Sequence, residues 1–198
     1  MKHIRATMDG AMPMATRQPI TSRLDMSWQE DKTALHVLVD AATFQATLER
    51  EWERAFCESH DLSLLMLAVD PRATGDESTR HWALNTVAQV LQARVRRPGD
   101  LIARYDAAVF AILLPCTHPI GARLLAQELC AMIAARQVDA ASGEAAITIA
   151  IGASGLQPEP DMTSAILVSA ALAALADAQI ADGNPVVQAK VRGLTGSD

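Results

Sequence analysis

From residue 40 onward, hydrophobic positions switch between helical and strand-like spacing. Asp40 is a plausible helix N-cap, and bulky apolar residues then recur at every fourth position. They are Phe44, Leu48, Trp52 and Phe56. The next segment, Leu62 to Val69, is an apolar run that ends at Asp70-Pro71, as is typical of a buried strand. The pattern therefore predicts a helix followed by a strand.

The middle of the chain continues this alternation. A second helix is predicted from about Ser78 to Arg96, and it ends at Arg97-Pro98-Gly99-Asp100. Its inner face is predicted to carry Leu84, Val87, Val90 and Leu91. Two apolar runs, Leu101 to Tyr105 and Val109 to Leu114, flank Asp106-Ala107-Ala108 and predict a β-hairpin.

The last third of the chain predicts two more helices and two more strands. A third helix begins near Pro119, with an apolar set of Ile120, Leu124, Leu125, Leu129, Met132 and Ile133. The run Ile147 to Gly152 predicts a strand, Thr163 to Ala181 an Ala-rich helix, and Val186-Val187 the start of a last strand. This order predicts an α+β fold, an α/β sandwich in which helices pack on one mixed sheet.

Composition narrows the class of protein. Of 198 residues, half are hydrophobic, but 37 are Ala and only seven are aromatic, so we expect a core of small and aliphatic side chains in a single domain. The chain lacks an apolar run of about 18 residues, and its first residues lack the apolar core of a secretory signal, so we expect a cytoplasmic protein that does not enter the membrane. Residues 1–32 are expected to form a flexible, Met-rich N-terminal arm, followed by a domain over 33–198.

Charge and cysteine content exclude further classes. The net charge is −6; residues 1–24 carry four basic side chains and one acidic side chain, which leaves −9 on the remainder. Such an acidic body repels polyanions, so we expect no nucleic-acid partner. Cys57, Cys116 and Cys130 lie far apart without metal-ligand spacing, and we expect them to be buried, reduced thiols and expect no metal or other cofactor.

Several local motifs occur in an order that resembles a known family. The central stretch reads Asp100-Leu101-Ile102-Ala103-Arg104-Tyr105, then Asp106-Ala107-Ala108-Val109-Phe110, then Ala111-Ile112-Leu113-Leu114-Pro115. It resembles the segment D-x-x-A-R-Y, G-G-D/E-E-F, A-x-L-L-P of the GGDEF domain of diguanylate cyclases. Leu64 to Asp70 and Ile147 to Gly152 resemble two further strands of that family. The resemblance covers about residues 33–190.

The resemblance implies a fold and an activity. The family fold is a nucleotidyl-cyclase-like palm, a central and mostly antiparallel sheet flanked by helices. Family members condense two GTP molecules into cyclic di-GMP, with two divalent metals and two domains face to face. Fold alone does not decide whether this chain does the same.

The chain departs from the family at the metal-binding positions. By the resemblance, the two metal-binding carboxylates belong at Ala68 and Ala108, and the usual Glu of the signature belongs at Val109. A methyl group cannot ligate a metal ion. Asp70 and Asp106 are nearby acids, but Asp106 occupies a glycine position of the signature.

Other substrate contacts of the family are replaced as well. The segment Pro71 to His81 is about four residues shorter than in the family by this alignment, and His81 lies where a guanine-reading Asp belongs. Gln179 and Gly183 stand where the family has a Lys and an Arg for the triphosphate. We therefore expect a catalytically inactive domain with no catalytic residues.

One ligand motif of the family is retained. Arg97 and Asp100 match an R-x-x-D motif that binds cyclic di-GMP as a feedback inhibitor, the guanidinium through guanine or phosphate and the carboxylate through guanine N–H groups. The same four residues also suit an ordinary helix-to-strand turn. Glu128 stands where tight-binding members have a second Arg, and its carboxylate would repel phosphates. Arg123, one helical turn earlier, is a candidate substitute.

Two functions of different kinds follow from these residues. The first is a degenerate GGDEF module that regulates bacterial cyclic di-GMP signalling by binding a protein partner. The alternative is a cyclic di-GMP receptor that uses Arg97 and Asp100, and a remote alternative is an active cyclase. The sequence identifies no protein partner, and it leaves both the monomer and the homodimer open.

Overall fold

Helix α1 begins directly after the predicted N-cap. The structure, a computed structural model, describes residues 38–70, 77–139, 147–181 and 186–189. In α1 (Ala41–Glu58) the backbone N–H of Thr43 donates to the Asp40 carboxylate at 2.8 Å, which satisfies one of the free N–H groups of the first turn. The predicted arm, residues 1–32, lies outside the described residues.

The remaining elements follow in the predicted order. They are β1 (Leu62–Val69), α2 (Glu77–Arg94), β2 (Leu101–Asp106), β3 (Val109–Pro115), α3 (Pro119–Asp139), β4 (Ile149–Leu156), α4 (Ser164–Ile180) and β5 (Val186–Gln188). The strands form one sheet in the order β2-β3-β1-β4-β5. Only the β4–β5 pair is parallel among the strand pairs of the described ranges. The predicted α+β architecture with a mostly antiparallel central sheet is therefore confirmed.

The central strand β1 contributes side chains to both faces of the sheet, because successive residues of a strand point to opposite sides. Leu65, Leu67 and Val69 pack in the cluster formed with α2 and α3. Leu64, Met66 and Ala68 pack in the cluster formed with α1 and α4. The domain thus has three layers, and every residue of β1 is buried.

The apolar pattern was misleading for three helical residues. Phe56 is 45% exposed, because each step of four residues advances a helix by about 40°, so that Phe56 lies roughly 120° from Phe44. On α3, Ile120 and Leu124 are 54% and 56% exposed. The buried face of α3 instead carries Ala122, Ala126, Leu129 and Ile133, because small residues allow that helix to approach the sheet closely.

Strand β4 is longer than predicted. It begins at Ile149 and continues through Ser154 and Gly155 to Leu156, whereas the sequence predicted an end at Gly152. The extension pairs with β1 to the last residue, Leu156 opposite Leu62. Ser and Gly are common in turns. Here, however, Ser154 is buried within the strand, and its hydroxyl donates to the Leu167 carbonyl at 2.8 Å.

The expectation of three buried thiols is wrong for two of them. Cys57 and Cys116 are exposed, and Cys130 is half-buried; all three are free. Cys57 follows the exposed Phe56 on α1, and Cys116 immediately follows β3 in a left-handed conformation with φ 49°. Burial raises the pKa of the Cys130 thiol to about 11, which keeps it protonated at neutral pH. None of the described helices has the length and apolarity needed to cross a bilayer.

Candidate functional site

The tip of the β2–β3 hairpin is held by local hydrogen bonds. The Asp106 carboxylate accepts from the N–H of Ala107 at 2.6 Å, and the Arg104 guanidinium donates to the Ala107 carbonyl at 2.8 Å. The strand register shifts between Arg104 and Asp106, as in a β-bulge. The Asp106 side chain therefore stabilises the exposed tip by a local hydrogen bond, as Asp side chains in turns commonly do.

The hairpin tip is also joined to the end of β1. The N–H of Val69 donates to the Ala108 carbonyl at 3.0 Å, and Ala68 lies opposite Val109 in the strand register. The structure thus brings the backbones of the two positions expected to hold metal-binding carboxylates, Ala68 and Ala108, to one edge together with Val109, although 40 residues of chain separate Ala68 from Ala108. Ala68 is 4% exposed, whereas Ala108 and Val109 are half-buried.

The side chains at this edge are mostly apolar. Ala68, Ala108 and Val109 present methyl and isopropyl groups, which donate no lone pair to a cation. Asp70 follows β1 directly, and its N–H donates to the Thr148 carbonyl at 2.8 Å. Within the described ranges, no three His, Cys, Asp or Glu side chains group closely enough to hold a metal ion.

The residues Arg97 to Asp100 form a tight turn between α2 and β2. The N–H of Asp100 donates to the Arg97 carbonyl at 3.1 Å, and Gly99 has φ +96°. With Pro98 second and Gly99 third, this is the pattern of a type II turn. The turn holds the Arg97 and Asp100 side chains near each other, at the opposite end of β2 from the hairpin tip.

A cleft of about 460 Å³ opens beside this turn. It lies between the end of α2 and the first half of α3. Its apolar lining comes from Val95, Pro98, Leu114, Leu124 and Leu125. Its charged lining comes from Arg94, Arg96, Arg97, Asp100 and Glu128, so three cations face two carboxylates. A small, partly apolar cleft with a few converging charges is the usual form of a small-molecule site.

Asp100 is the more enclosed partner of the R-x-x-D motif. Burial raises the pKa of its carboxyl, whereas attraction by the nearby Arg97 guanidinium and a backbone hydrogen bond with Arg97 lower it in part. Arg97 itself is exposed, and its guanidinium has no hydrogen-bond or ion-pair partner among the residues that the structure describes. The motif therefore offers an available cation beside a partly desolvated acceptor.

Sequence reasoning missed Arg94, the last residue of α2. Its Nε and Nη2 atoms donate to the two carboxylate oxygens of Glu128 at 2.7 and 2.6 Å. The hydrogen bonds from Arg94 hold the pKa of Glu128 below its usual value. Glu128 does line the cleft, as the sequence suggested, but its charge is balanced by Arg94. Arg123, the suggested substitute, is exposed and is not among the lining residues.

Two other positions that the sequence singled out lie on the helices that flank the sheet. His81 is half-buried on α2, and its Nε2 atom is buried without a hydrogen-bond partner among the described residues. Gln179 is exposed near the end of α4. Gly183 lies outside the described residues.

Comparison with known proteins gives a consistent result. The family model "Diguanylate cyclase, GGDEF domain" matches residues 34–185. Over 101 residues the chain is 32% identical to the diguanylate cyclase DgcP of Pseudomonas aeruginosa, a match that covers 50% of this chain and 15% of that protein. The chain thus spans a small part of the length of that relative.

Two solved structures share the fold. The GGDEF domain of DgcB from Caulobacter crescentus in complex with c-di-GMP has a TM-score of 0.67 at 21% identity, covering 76% of this chain and 91% of that one. The diguanylate cyclase SiaD of Pseudomonas aeruginosa, in complex with its activator SiaC, has a TM-score of 0.68 at 21% identity, covering 84% and 70%. At this identity the likeness establishes the architecture, and the residues must establish the chemistry.

Proposed function

The chain belongs to the GGDEF family of diguanylate cyclases, and we propose that it acts in cyclic di-GMP signalling without making cyclic di-GMP. One observation carries the proposal. At the edge where β1 meets the hairpin tip, the positions expected to supply metal-binding carboxylates are Ala68 and Ala108, and Val109 replaces the signature Glu.

The chemistry of the family makes these replacements decisive. Joining two GTP molecules requires a metal ion to lower the pKa of the attacking hydroxyl and to neutralise the triphosphate. Divalent cations of this kind bind oxygen ligands, usually carboxylates. The side chains of Ala68, Ala108 and Val109 do not fit such an ion because they carry no oxygen, and one oxygen of Asp106 accepts from the N–H of Ala107. The loss of even one such contact typically costs orders of magnitude in rate.

A direct assay tests the proposal. The full chain is incubated with GTP and either Mg²⁺ or Mn²⁺, and cyclic di-GMP is measured by chromatography. We expect no product. Product that disappears in both Asp70→Asn and Asp106→Asn would overturn the proposal, because it would show that these two acids replace the missing ligands. Asp177→Asn, on the exposed side of α4, is the matched control.

The proposed role is regulation through a protein partner. SiaD, which shares this architecture, was solved in complex with an activator protein. This chain has three candidate contact regions: the shortened segment after Asp70, the altered hairpin tip and the N-terminal residues. The N-terminal residues are candidates because they are rich in Met, whose side chains adapt to varied surfaces. A pull-down with the full chain and with a chain lacking residues 1–30 tests the last of these. Equal recovery of the same partner by both chains would exclude the N-terminal residues.

The cleft favours a second candidate function, a receptor for cyclic di-GMP. DgcB, which shares the fold, was solved in complex with that nucleotide. Here Arg97 offers a guanidinium that has no hydrogen-bond or ion-pair partner among the described residues, and Asp100 offers an acceptor at the other end of the same turn, beside a cleft of about 460 Å³. A guanidinium binds phosphate or guanine through paired N–H groups, and a carboxylate accepts guanine N–H groups.

Calorimetric titration of the full chain with cyclic di-GMP separates the two candidates. The receptor requires binding in the micromolar range that is lost in Arg97→Ala and kept in Arg50→Ala, a control on the exposed face of α1. Absence of heat at about 100 µM ligand would rule out the receptor and leave the protein-binding role.

A further inference from the structure

The paired charges of Arg94 and Glu128 connect two helices across the cleft. Arg94 ends α2, and Glu128 lies in the middle of α3. The two bonds, at 2.7 and 2.6 Å, run side by side between one guanidinium edge and both oxygens of one carboxylate. This is the bidentate geometry that Arg forms with planar anions. Both residues line the cleft.

The same guanidinium edge would suit a phosphate group. Arg binds phosphate bidentately with the N–H pair that it uses for a carboxylate, so one edge of Arg94 cannot serve both at once. Arg96 and Arg97, the other two cations of the cleft, form no ion pair within the described part of the chain. The cleft therefore contains one guanidinium that is already occupied and two that are available.

We propose that Glu128 is an internal competitor for the cleft, a carboxylate that binds Arg94 in place of a ligand phosphate and must leave before a phosphate can bind there. The proposal rests on the receptor function proposed above and adds its regulation. The ligand class is a phosphodiester such as cyclic di-GMP. Exchange is feasible because the side chains are 42% and 48% exposed, so a ligand can reach both of them and salt screens their attraction.

The proposal predicts that the effect of removing Glu128 depends on the presence of Arg94. If Glu128 weakens binding only by repelling phosphate through space, its removal should help whether or not Arg94 is present. If Glu128 weakens binding by occupying Arg94, its removal should help only when Arg94 is there to receive the phosphate. A double-mutant cycle distinguishes these two cases, because it measures the coupling between the two residues.

The test is a titration of four full-length proteins with cyclic di-GMP: the natural sequence, Glu128→Gln, Arg94→Ala, and the double variant. We expect Glu128→Gln to tighten binding about tenfold, the scale of one charge-assisted hydrogen bond. We expect the double variant to bind no more tightly than Arg94→Ala. Glu58→Gln is the matched control, since Glu58 also accepts from an Arg at a similar exposure, 57%, but at the end of α1.

The outcomes separate this proposal from the receptor function. Binding by Glu128→Gln but not by the natural sequence supports the competitor and refutes the receptor function of the natural chain. Equal binding by both leaves the receptor standing and overturns the competitor, as does a gain that persists without Arg94. Absence of binding by all four proteins overturns both. Glu128→Ala serves in place of Glu128→Gln if the latter has a lowered melting temperature.

Discussion

The N–H of Val69 donates to the carbonyl of Ala108 at 3.0 Å, which joins the end of the central strand to the tip of the hairpin. Backbone bonds of this kind do not depend on the side chains at either position. The edge therefore keeps the architecture of the family while its side chains have changed. Carboxylates placed at Ala68 and Val109, which lie opposite each other on neighbouring strands and pack on the same face of the sheet, should consequently lie close enough to share a cation.

The first prediction uses this proximity. In the double variant Ala68→Asp and Val109→Asp, Mn²⁺ should raise the melting temperature by about 5 °C, because a ligand that binds only the folded state stabilises it. The natural sequence should show no such rise. Without metal the variant should be less stable than the natural chain, since Ala68 is 4% exposed and a buried carboxylate is costly when unpaired.

Thermal melts with and without Mn²⁺ provide the measurement. The matched control is Ala68→Asn with Val109→Asn, which has nearly the same shape as the Asp variant but no charge. An equal rise in the natural sequence would show that other residues hold the metal, and it would count against the proposed loss of catalysis.

The second prediction concerns Asp100. Burial raises the pKa of this carboxyl in the folded protein above 3.8. The ionised carboxylate therefore costs stability above the folded pKa, and the cost vanishes as the pH falls below 3.8. Asp100→Asn should melt at a slightly higher temperature than the natural chain at pH 7. Their melting temperatures should converge near pH 3.

The same substitution should weaken cyclic di-GMP binding about tenfold, because an amide oxygen is a weaker acceptor than a carboxylate. Stability and binding would then change in opposite directions, as expected of a residue kept for a ligand. A lower melting temperature for Asp100→Asn at pH 7 would instead indicate that attraction by Arg97 outweighs burial, and would favour a purely structural turn.

Most of the fold could be predicted because its signals are local. Each helix and strand shows its own apolar spacing, and Asp40 caps α1 through a residue three positions away. The errors arose where long-range packing decides. Ile120 and Leu124 match a helical apolar face, yet α3 turns its alanines toward the sheet. Nothing in local spacing shows which of two possible faces a sheet will accept.

The candidate site could likewise be predicted where its residues are close in sequence, and not where distant residues meet. Arg97 and Asp100 were found because they match the R-x-x-D motif of the family, which spans four consecutive residues. The Arg94–Glu128 pair was missed because it joins two helices 34 positions apart. The only signal was the clustering of Arg94, Arg96 and Arg97, which shows a concentration of charge but not which member is neutralised.

The third prediction tests the turn itself. Gly99 has φ +96°, and no atom lies within 4 Å of the position that a Cβ would occupy. Gly99→Ala should therefore cost only backbone strain, about 1–2 kcal/mol in urea denaturation. Gly99→Asn should cost less, because Asn tolerates left-handed conformations better than Ala. An equal cost for both would show that the turn is not held in that conformation.

The fourth prediction concerns the close contact of α4 with the sheet. A Cβ on Gly152 of β4 would overlap the backbone N of Leu175 and the backbone O of Ala171. Backbone atoms cannot rotate away, so Gly152→Ala must push α4 from the sheet, at a cost of about 3 kcal/mol.

Gly121→Ala is the control, since its Cβ would lie 3.5 Å from Thr117 in ordinary contact. That variant should be neutral or up to about 1 kcal/mol more stable in urea denaturation, because Ala favours a helix over Gly. Equal losses for the two variants would mean that α4 does not contact β4 this closely, and the cyclase-like packing of this layer would need revision.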